Sequence, residues 1–237
     1  MVCHPVFCVD ESFGIAIFSL IVFLFSTVCH EAAHAVVALR LGDKTAYHNG
    51  QVTLNPWPHI RQEPFGLGLL PLISMIINLQ SGMPGVIGFA SAPFDPLWAM
   101  RNPRRAAWMA MAGPAANFAL ALIAAVSVRA GIAAGLFQMA GGWQLASGTS
   151  EVADGFALFL SVLFFENLLL GAWNMLPIPP MDGFSMLLFF LPENRTAWFF
   201  EIRQQVGMMF PILMFGISSY FWQLFTPIFL TVRGWVF

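Results

Sequence analysis

An apolar run from Phe13 to Leu39 dominates the sequence, and it is long enough to cross a lipid bilayer as one helix. Near its end the run contains His30, Glu31 and His34, three ionisable side chains within little more than one helical turn. Ionisable groups at membrane depth are costly, and they are found in membrane segments mainly where they serve a function. The sequence therefore predicts a functional site inside the first membrane span.

The composition extends this interpretation to the whole chain. Of the 237 residues, 58% are hydrophobic and 9% are charged, whereas a soluble domain carries about a quarter charged residues. We expect an all-α, multi-pass transmembrane helix bundle of about 4–6 spans, forming a single domain over residues 1–237 and surrounded by the lipid bilayer. The formal net charge of -2 gives no basic surface, which argues against nucleic acid as a partner.

Three later segments are apolar and long enough to be further spans: 106–128, 156–176 and 206–230. Residues 64–100 are also apolar but are interrupted by "SGMPG", so they predict either a re-entrant hairpin or two short passes. Residues 184–204 mix charged and large apolar side chains, which indicates a helix lying at the membrane interface.

The basic residues predict the orientation of the bundle. No Lys or Arg precedes the first span, whereas Arg40, Lys44 and Arg61 follow it, and "RNPRR" at 101–105 precedes the span 106–128. Positively charged loops are retained in the cytoplasm. The N-terminus is therefore predicted to lie outside, and the glycine-rich segment 131–153 is predicted to be external.

Two short segments predict structure other than membrane helix. "QVTLN" at 51–55 alternates in polarity after the turn signal Asn49-Gly50, which indicates a short membrane-associated β-strand. "PIPPMDG" at 177–183 contains three prolines and cannot form a regular helix, so we expect a re-entrant, proline-rich loop. Irregular backbone at membrane depth is tolerated where it is buried in protein or lines a wet cavity.

His30, Glu31 and His34 form the pattern His-Glu-x-x-His. Side chains at i and i+4 share one face of a helix, so both imidazoles can bind one metal ion while Glu31 reaches a water molecule beside it. A catalytic zinc ion takes a third protein ligand. Glu166 and Asp182 are the intramembrane candidates downstream.

Three motifs then indicate a family. "HEAAH" at 30–34, "GPAAN" at 113–117 and "NMLPIPPMDG" at 174–183 resemble, in the same order, the site-2 protease family of intramembrane zinc metalloproteases, peptidase family M50. "GQVTLNP" at 50–56 and "RNPRRAAWMAMAGPAAN" at 101–117 are similar to its compact bacterial branch, which lacks PDZ and CBS domains. The resemblance covers residues 25 to 190.

The resemblance implies a role for each matching residue. His30, His34 and Asp182 would bind one zinc ion per chain, and Glu31 would be the general base. Asn174 would help to stabilise the oxyanion. In addition, Asn117 would line the site from the span 106–128, and the strand at 51–55 would present the substrate in extended form.

The resemblance also implies a location and a substrate class. The catalytic core would occupy about 13–190, and 184–237 would form the interfacial helix and the last span. The protein would reside in a bacterial inner membrane and cleave the transmembrane segments of other membrane proteins near the cytoplasmic face.

Several interpretations stay open at this point. Asn174 could instead cap the end of its helix or satisfy a loop carbonyl, and Asn117 could serve packing beside Gly113. Glu166 departs from the family pattern: it could gate the site, or it could be the third ligand of a different class of membrane zinc protease. The alternative to an enzyme is a zinc-binding scaffold or transporter-like protein on the same fold.

The remaining histidines and cysteines carry weaker predictions. His4, His48 and His59 are expected to be ordinary loop or interfacial histidines. Cys29 is expected to be a small buried side chain rather than a ligand. Cys3 and Cys8 could pair or could both be free thiols.

Overall fold

A computed structural model describes residues 5–79, 84–208 and 210–236 of the chain. His4 and Cys3, and with them the predicted pairing of Cys3 with Cys8, lie outside these residues. The α-helices within them, in chain order, are α1 (Pro5–Leu41), α2 (Thr45–His48), α3 (Pro56–Gln62), α4 (Leu70–Asn78), α5 (Pro96–Arg101), α6 (Pro103–Ala133), α7 (Glu151–Asn174), α8 (Asp182–Met186), α9 (Thr196–Met208) and α10 (Phe210–Val236).

Three helices in the described part of the chain are long and apolar enough to cross a membrane: Ser12–Leu41 of α1, α6 and α7. A fourth crossing is reached if α3 and the helical segment Pro64–Asn78, which meet at 120°, count as one bent span. The predicted helical membrane bundle is therefore confirmed. Helix α10 covers the last predicted span, 206–230, and its passage through the membrane stays a prediction, as does the total of 4–6 spans.

Helix α6 packs against both α1 and α7. Lipid tails are as apolar as leucine side chains, so membrane helices associate through close packing, which small residues permit. The buried side of α6 consists largely of such residues: Ala106, Ala107, Ala110, Gly113, Ala121, Ala124 and Ala125. Because these side chains are short, the backbone of α6 can approach side chains that project from α1.

Contacts at one end of the bundle bring the two basic segments together. The Arg105 guanidinium donates a hydrogen bond to the Leu41 carbonyl at the end of α1 (3.2 Å). Close by, the buried Asp43 carboxylate accepts hydrogen bonds from the backbone N–H groups of Thr45 and Asp95 (2.9 Å each). The end of α1 and the start of α6 therefore lie at the same end of the bundle, and the side of the membrane that this end faces stays a prediction.

The prediction of a strand at 51–55 is wrong, because these residues form bends between α2 and α3. Asn55 caps α3 by accepting a hydrogen bond from the Trp57 N–H (3.0 Å), and Pro56 occupies the first helical position. Asparagine followed by proline is a helix start, and it overrides the short alternating pattern before it.

The strands form instead in the glycine-rich segment. β1 (Phe137–Met139) pairs with β2 (Ala146–Gly148) in an antiparallel hairpin whose register places Phe137 opposite Gly148. Arg233 of α10 links this hairpin to α10 by donating hydrogen bonds to the carbonyls of Ala140 and Gly142.

Residues 64–79 are largely helical, and residues 84–95 pass back over this helix. The helix begins with a π-helical turn (Pro64–Leu69) and continues as α4, whereas residues 84–95 have no regular secondary structure. The second short helical pass is thus not formed within 84–95. The return crosses the helix closely, since the Phe89 N–H donates to the Gly66 carbonyl (3.0 Å).

The proline-rich loop is irregular as predicted, and α8 begins at Asp182 directly after it. The predicted interfacial helix 184–204 is not continuous. It divides into α8, two short 3₁₀ turns and α9, because Pro192 lacks the backbone N–H that a continuous helix would need there.

The crossing at Gly66 yields a stability prediction. A Cβ atom on Gly66 would lie 2.4 Å from the Phe89 carbonyl oxygen, whereas one on Gly68 would meet nothing closer than Ile60 at 3.8 Å. Gly66→Ala should therefore destabilise the fold by about 1–3 kcal/mol, while Gly68→Ala, on the same helix, should leave stability unchanged or slightly improved. Thermal unfolding in detergent measures both, and equal melting temperatures would contradict the close crossing.

Candidate metal centre

His30, His34 and Asp182 converge on one point between α1, α6 and α8. The Asp182 Oδ2 atom lies 3.0 Å from His30 Nε2 and 3.2 Å from His34 Nε2, and the two Nε2 atoms are 3.0 Å apart. Both histidines are buried, and Asp182 is partly buried. Asp182 reaches the histidines because the proline-rich loop turns back toward α1 at the end of α7.

The tautomer of His34 follows from the hydrogen bond that its Nδ1 atom makes. His34 Nδ1 lies 2.7 Å from the Met109 main-chain carbonyl oxygen on α6. A carbonyl oxygen can only accept, so the neutral His34 ring carries its proton on Nδ1. Its Nε2 lone pair therefore points toward Asp182.

The tautomer of His30 is determined by a longer chain of hydrogen bonds. His30 Nδ1 lies 2.6 Å from Asn117 Oδ1, and Asn117 Nδ2 donates to Asn167 Oδ1 (2.9 Å). Asn167 Nδ2 in turn donates to the Leu163 carbonyl (2.9 Å) and to Ser26 Oγ (2.8 Å). The carbonyl at the end can only accept, which fixes the direction of every bond and leaves the proton of His30 on Nδ1.

The converging atoms are suited to a metal ion. With both Nδ1 atoms protonated, the two Nε2 atoms and Asp182 Oδ2 present three lone pairs to one another at 3.0–3.2 Å. Within the described residues, Asp182 Oδ2 has no hydrogen-bond partner although it is buried. Three mutually repelling acceptors are stable together when a cation lies between them, and two histidines with one carboxylate are a ligand set of zinc.

Gly113 gives α6 its close approach to this centre. A Cβ atom at that position would lie 2.3 Å from His34 Nε2 and 2.4 Å from His30 Nε2. Position 113 therefore has no room for any side chain. Helix packing, the role suggested by the sequence, would require only a small residue there.

Glu31 is buried next to these ligands on α1, with only 4% of its surface exposed. Within the described part of the chain its Oε2 atom has no hydrogen-bond partner. His59 was predicted to be an ordinary loop or interfacial histidine, and it is instead a buried residue of α3.

The other predicted site residues lie in different surroundings. Asn117 is fully buried and contacts His30, so it positions a candidate ligand rather than facing an open cleft. Asn174 Nδ2 donates to the Leu170 carbonyl of its own helix (3.0 Å). Glu166 is buried beside Ser19 and does not belong to the converging group found among the described residues. Cys29 is half-buried with a free thiol.

Arg203 of α9 places its guanidinium 5.2 Å from the centre of the Phe94 ring. Burial lowers the pKa of Arg203, and the negative charge of Asp182 raises it in partial compensation. Helix α9 therefore brings a positive charge toward the site.

Sequence reasoning missed Asn167, Ser26 and the Met109 carbonyl. Asn167 carried a usable signal, because an amide next to Glu166 in the apolar run "FFENLLLG" needs a buried partner. Ser26 lies one helical turn before His30, on the same face of α1. The role of a main-chain carbonyl such as that of Met109 leaves no trace in a sequence.

A known protein family matches part of the chain. The model of the family described as "Peptidase family M50" matches residues 130–216, a stretch that contains Asn174 and Asp182. No solved structure matches the chain.

Curated relatives match over more of the chain. A Bacillus subtilis (strain 168) protein named "Putative zinc metalloprotease YwhC" is 32% identical over 197 residues, which cover 82% of this chain and 78% of the relative. The Mycobacterium tuberculosis (strain H37Rv) protein named "Putative zinc metalloprotease Rip2" is 28% identical over 225 residues, 94% of this chain and 71% of the relative. These matches confirm the resemblance predicted from the three motifs, and the chain belongs to peptidase family M50, the site-2 protease family.

Proposed function

We propose that this membrane protein is an intramembrane zinc metalloprotease that cleaves transmembrane segments of other proteins near the cytoplasmic face. The observation that carries the proposal is the convergence of His30, His34 and Asp182, with both histidine Nδ1 atoms engaged, inside a bundle of membrane helices. A cluster of three acceptors in this setting has no evident structural purpose.

His30, His34 and Asp182 would hold one zinc ion, the metal that appears in the names of the relatives. When bound, zinc acts as a Lewis acid that polarises a carbonyl group and lowers the pKa of a water molecule toward neutrality. The bond from His30 to Asn117 and the bond from His34 to Met109 would orient the two imidazoles and keep their Nε2 lone pairs available.

Glu31 would be the general base. The residue follows His30 directly on α1, and its buried carboxylate carries an Oε2 atom without a hydrogen-bond partner in the described structure. In the reaction, the oxygen of a water molecule bonds to the scissile carbonyl carbon while Glu31 accepts one of its protons. Glu31 then delivers that proton to the leaving nitrogen as the carbon–nitrogen bond breaks.

Asn174 would stabilise the negative charge that develops on the carbonyl oxygen. A side-chain amide nitrogen carries two hydrogens, so the bond from Asn174 to the Leu170 carbonyl leaves the second hydrogen for the substrate. Asn117 would act through His30 and would be a positioning residue.

The depth of the site supports a membrane-embedded substrate. His34 lies seven residues before Leu41, the end of α1, which at 1.5 Å per residue is about 10 Å below that end of the bundle. The same end carries Arg105 and Lys44 and is therefore predicted to be cytoplasmic. A helical substrate must unwind locally to react, because its carbonyl groups are otherwise engaged in its own hydrogen bonds.

Replacing the general base tests the reaction directly. Glu31→Gln should retain zinc, because Glu31 is not among the proposed ligands, and should cleave a single-span model substrate at least about 100-fold more slowly than the wild type. Zinc per chain and cleavage by purified protein in detergent measure the two properties, and a chelator should abolish wild-type cleavage. Undiminished cleavage by Glu31→Gln would refute the proposed mechanism.

A second pair of variants tests the third ligand. Asp182→Asn should weaken zinc binding by more than about 100-fold, whereas Glu166→Gln should leave zinc binding unchanged, since Asp182 reaches the two histidines and Glu166 does not. Zinc titration against a competing chelator gives both affinities. Loss of zinc in the Glu166 variant alone would instead favour the other class of membrane zinc protease.

Replacing Asn117 and replacing Asn174 should impair different properties of the protein. Asn117→Ala removes the partner of His30 Nδ1 and should weaken zinc binding by about 10- to 100-fold. Asn174→Ala should retain zinc and lower kcat by about 100- to 1000-fold. Measured zinc affinity and kcat separate the two roles, and full activity of Asn174→Ala would leave that residue with only its bond to Leu170.

A further inference from the structure

Helix α9 packs across the segment that supplies Asp182. The Phe199 ring stacks on the Phe184 ring, with 4.4 Å between the ring centroids and 9° between the ring planes. About two helical turns further along α9, a Cβ atom on Gly207 would lie 4.0 Å from Pro180 Cβ. Because one contact is made just after Asp182 and the other just before it, α9 runs antiparallel to this segment and covers it.

Arg203 is the residue of α9 midway between these two contacts. Residues at i, i+4 and i+8 lie on one side of a helix, so Arg203 shares the face of Phe199 and Gly207. Since that face packs across the segment around Asp182, Arg203 lies opposite Asp182. Its guanidinium carbon is 5.2 Å from the centre of the Phe94 ring, and Phe94 packs against the apolar cluster that contains Phe199. Arg203 is therefore held at the edge of the candidate metal centre.

The positive charge of Arg203 has no counterion in the described part of the chain. The side chain is partly buried, its Nε atom is buried without a hydrogen-bond partner, and no carboxylate among the described residues forms an ion pair with it, that of Asp182 included. A buried guanidinium is costly without an anion, and the Phe94 ring offsets only part of that cost. A guanidinium binds a carboxylate through two parallel hydrogen bonds. The position of Arg203 therefore suits a ligand that carries a carboxylate.

Peptide hydrolysis creates such a group at the metal centre. The reaction adds one water molecule across the carbon–nitrogen bond of a neutral peptide group. The carbonyl carbon keeps the water oxygen and becomes a carboxylate, and both hydrogens of the water end on the leaving nitrogen, which becomes an ammonium group. A carboxylate that forms at membrane depth is costly unless it is paired.

We propose that Arg203 is a product-binding residue, which holds the new carboxylate of the N-terminal cleavage fragment at the edge of the metal centre. The intact peptide group is neutral, so the charge of Arg203 attracts this end of the chain only after the bond is broken. Arg203 thus supplies the counterion that the fragment needs until its new end leaves the membrane interior. This inference rests on the proposed proteolytic function.

Binding of two matched peptides measures the contact. Both match the N-terminal half of the single-span model substrate, and they differ only in ending with a free carboxylate or a carboxamide. Their affinities are measured for zinc-loaded wild type and zinc-loaded Arg203→Gln in detergent. The proposal expects the preference for the carboxylate peptide to fall by about 10-fold or more in Arg203→Gln, with the affinity for the carboxamide peptide unchanged. Any preference that zinc itself contributes is common to both proteins and cancels.

Two further variants serve as controls. Arg195→Gln removes the same charge from an exposed position just before α9 and should keep the full preference. Arg203→Lys keeps the charge but loses the paired hydrogen bonds, so it should retain only part of the preference. An equal fall in Arg195→Gln would show that the overall charge of this region attracts the carboxylate, and it would overturn the assignment to Arg203.

A purely structural arginine predicts a different result. If Arg203 only packs against Phe94, Arg203→Gln should lower the melting temperature and change the affinities for both peptides by the same factor. That result, an unchanged preference, or a wild type that does not bind the carboxylate peptide would overturn the proposal.

The binding measurement does not depend on cleavage. A carboxylate preference that requires Arg203, in a protein that cleaves nothing, would support the inference and count against the protease function alone. Cleavage together with a preference that does not require Arg203 would overturn the inference and leave the protease function standing.

Discussion

The repulsion among three lone pairs is the constraint on which the centre of this molecule depends. His30 Nε2, His34 Nε2 and Asp182 Oδ2 meet within 3.0–3.2 Å, and the protons that could relieve the repulsion are held on the far side of each ring. One ring is held by a main-chain carbonyl, and the other by a chain of amides that ends at a main-chain carbonyl. The backbone of α6 and α7 thereby determines which atoms face the candidate metal centre.

Close helix packing makes that arrangement possible. The second nitrogen of each histidine needs an acceptor on α6, and α6 can supply one only if its axis lies near α1. Gly113 and the alanines along the buried face of α6 permit this approach, and Gly113 itself lies directly against both Nε2 atoms. The same small residues therefore support helix association and the geometry of the site.

Much of this could be predicted from the sequence, for reasons specific to particular residues. The long helices follow from hydropathy, and the candidate ligands His30 and His34 follow from the local spacing of His-Glu-x-x-His. Spacing alone left Asp182 and Glu166 open as the third ligand, and the family resemblance favoured Asp182. The prediction of a strand at 51–55 was wrong because the helix start at Asn55-Pro56 outweighed a weak alternation of polar and apolar residues. The buried environment of His59 and the amide chain through Asn167 join residues that are distant in the sequence, and a single sequence contains no information about such pairings.

The order of the ligands along the chain has a consequence for biosynthesis. His30 and His34 belong to the first helix, whereas Asp182 follows α7, the third of the long helices. A nascent chain that has emerged only as far as α7 holds two of the three candidate ligands and cannot complete the coordination. Hydrolytic capacity would then arise late in membrane insertion, after the helices that enclose the site are in place, so that an unfinished chain poses no danger to the membrane proteins around it.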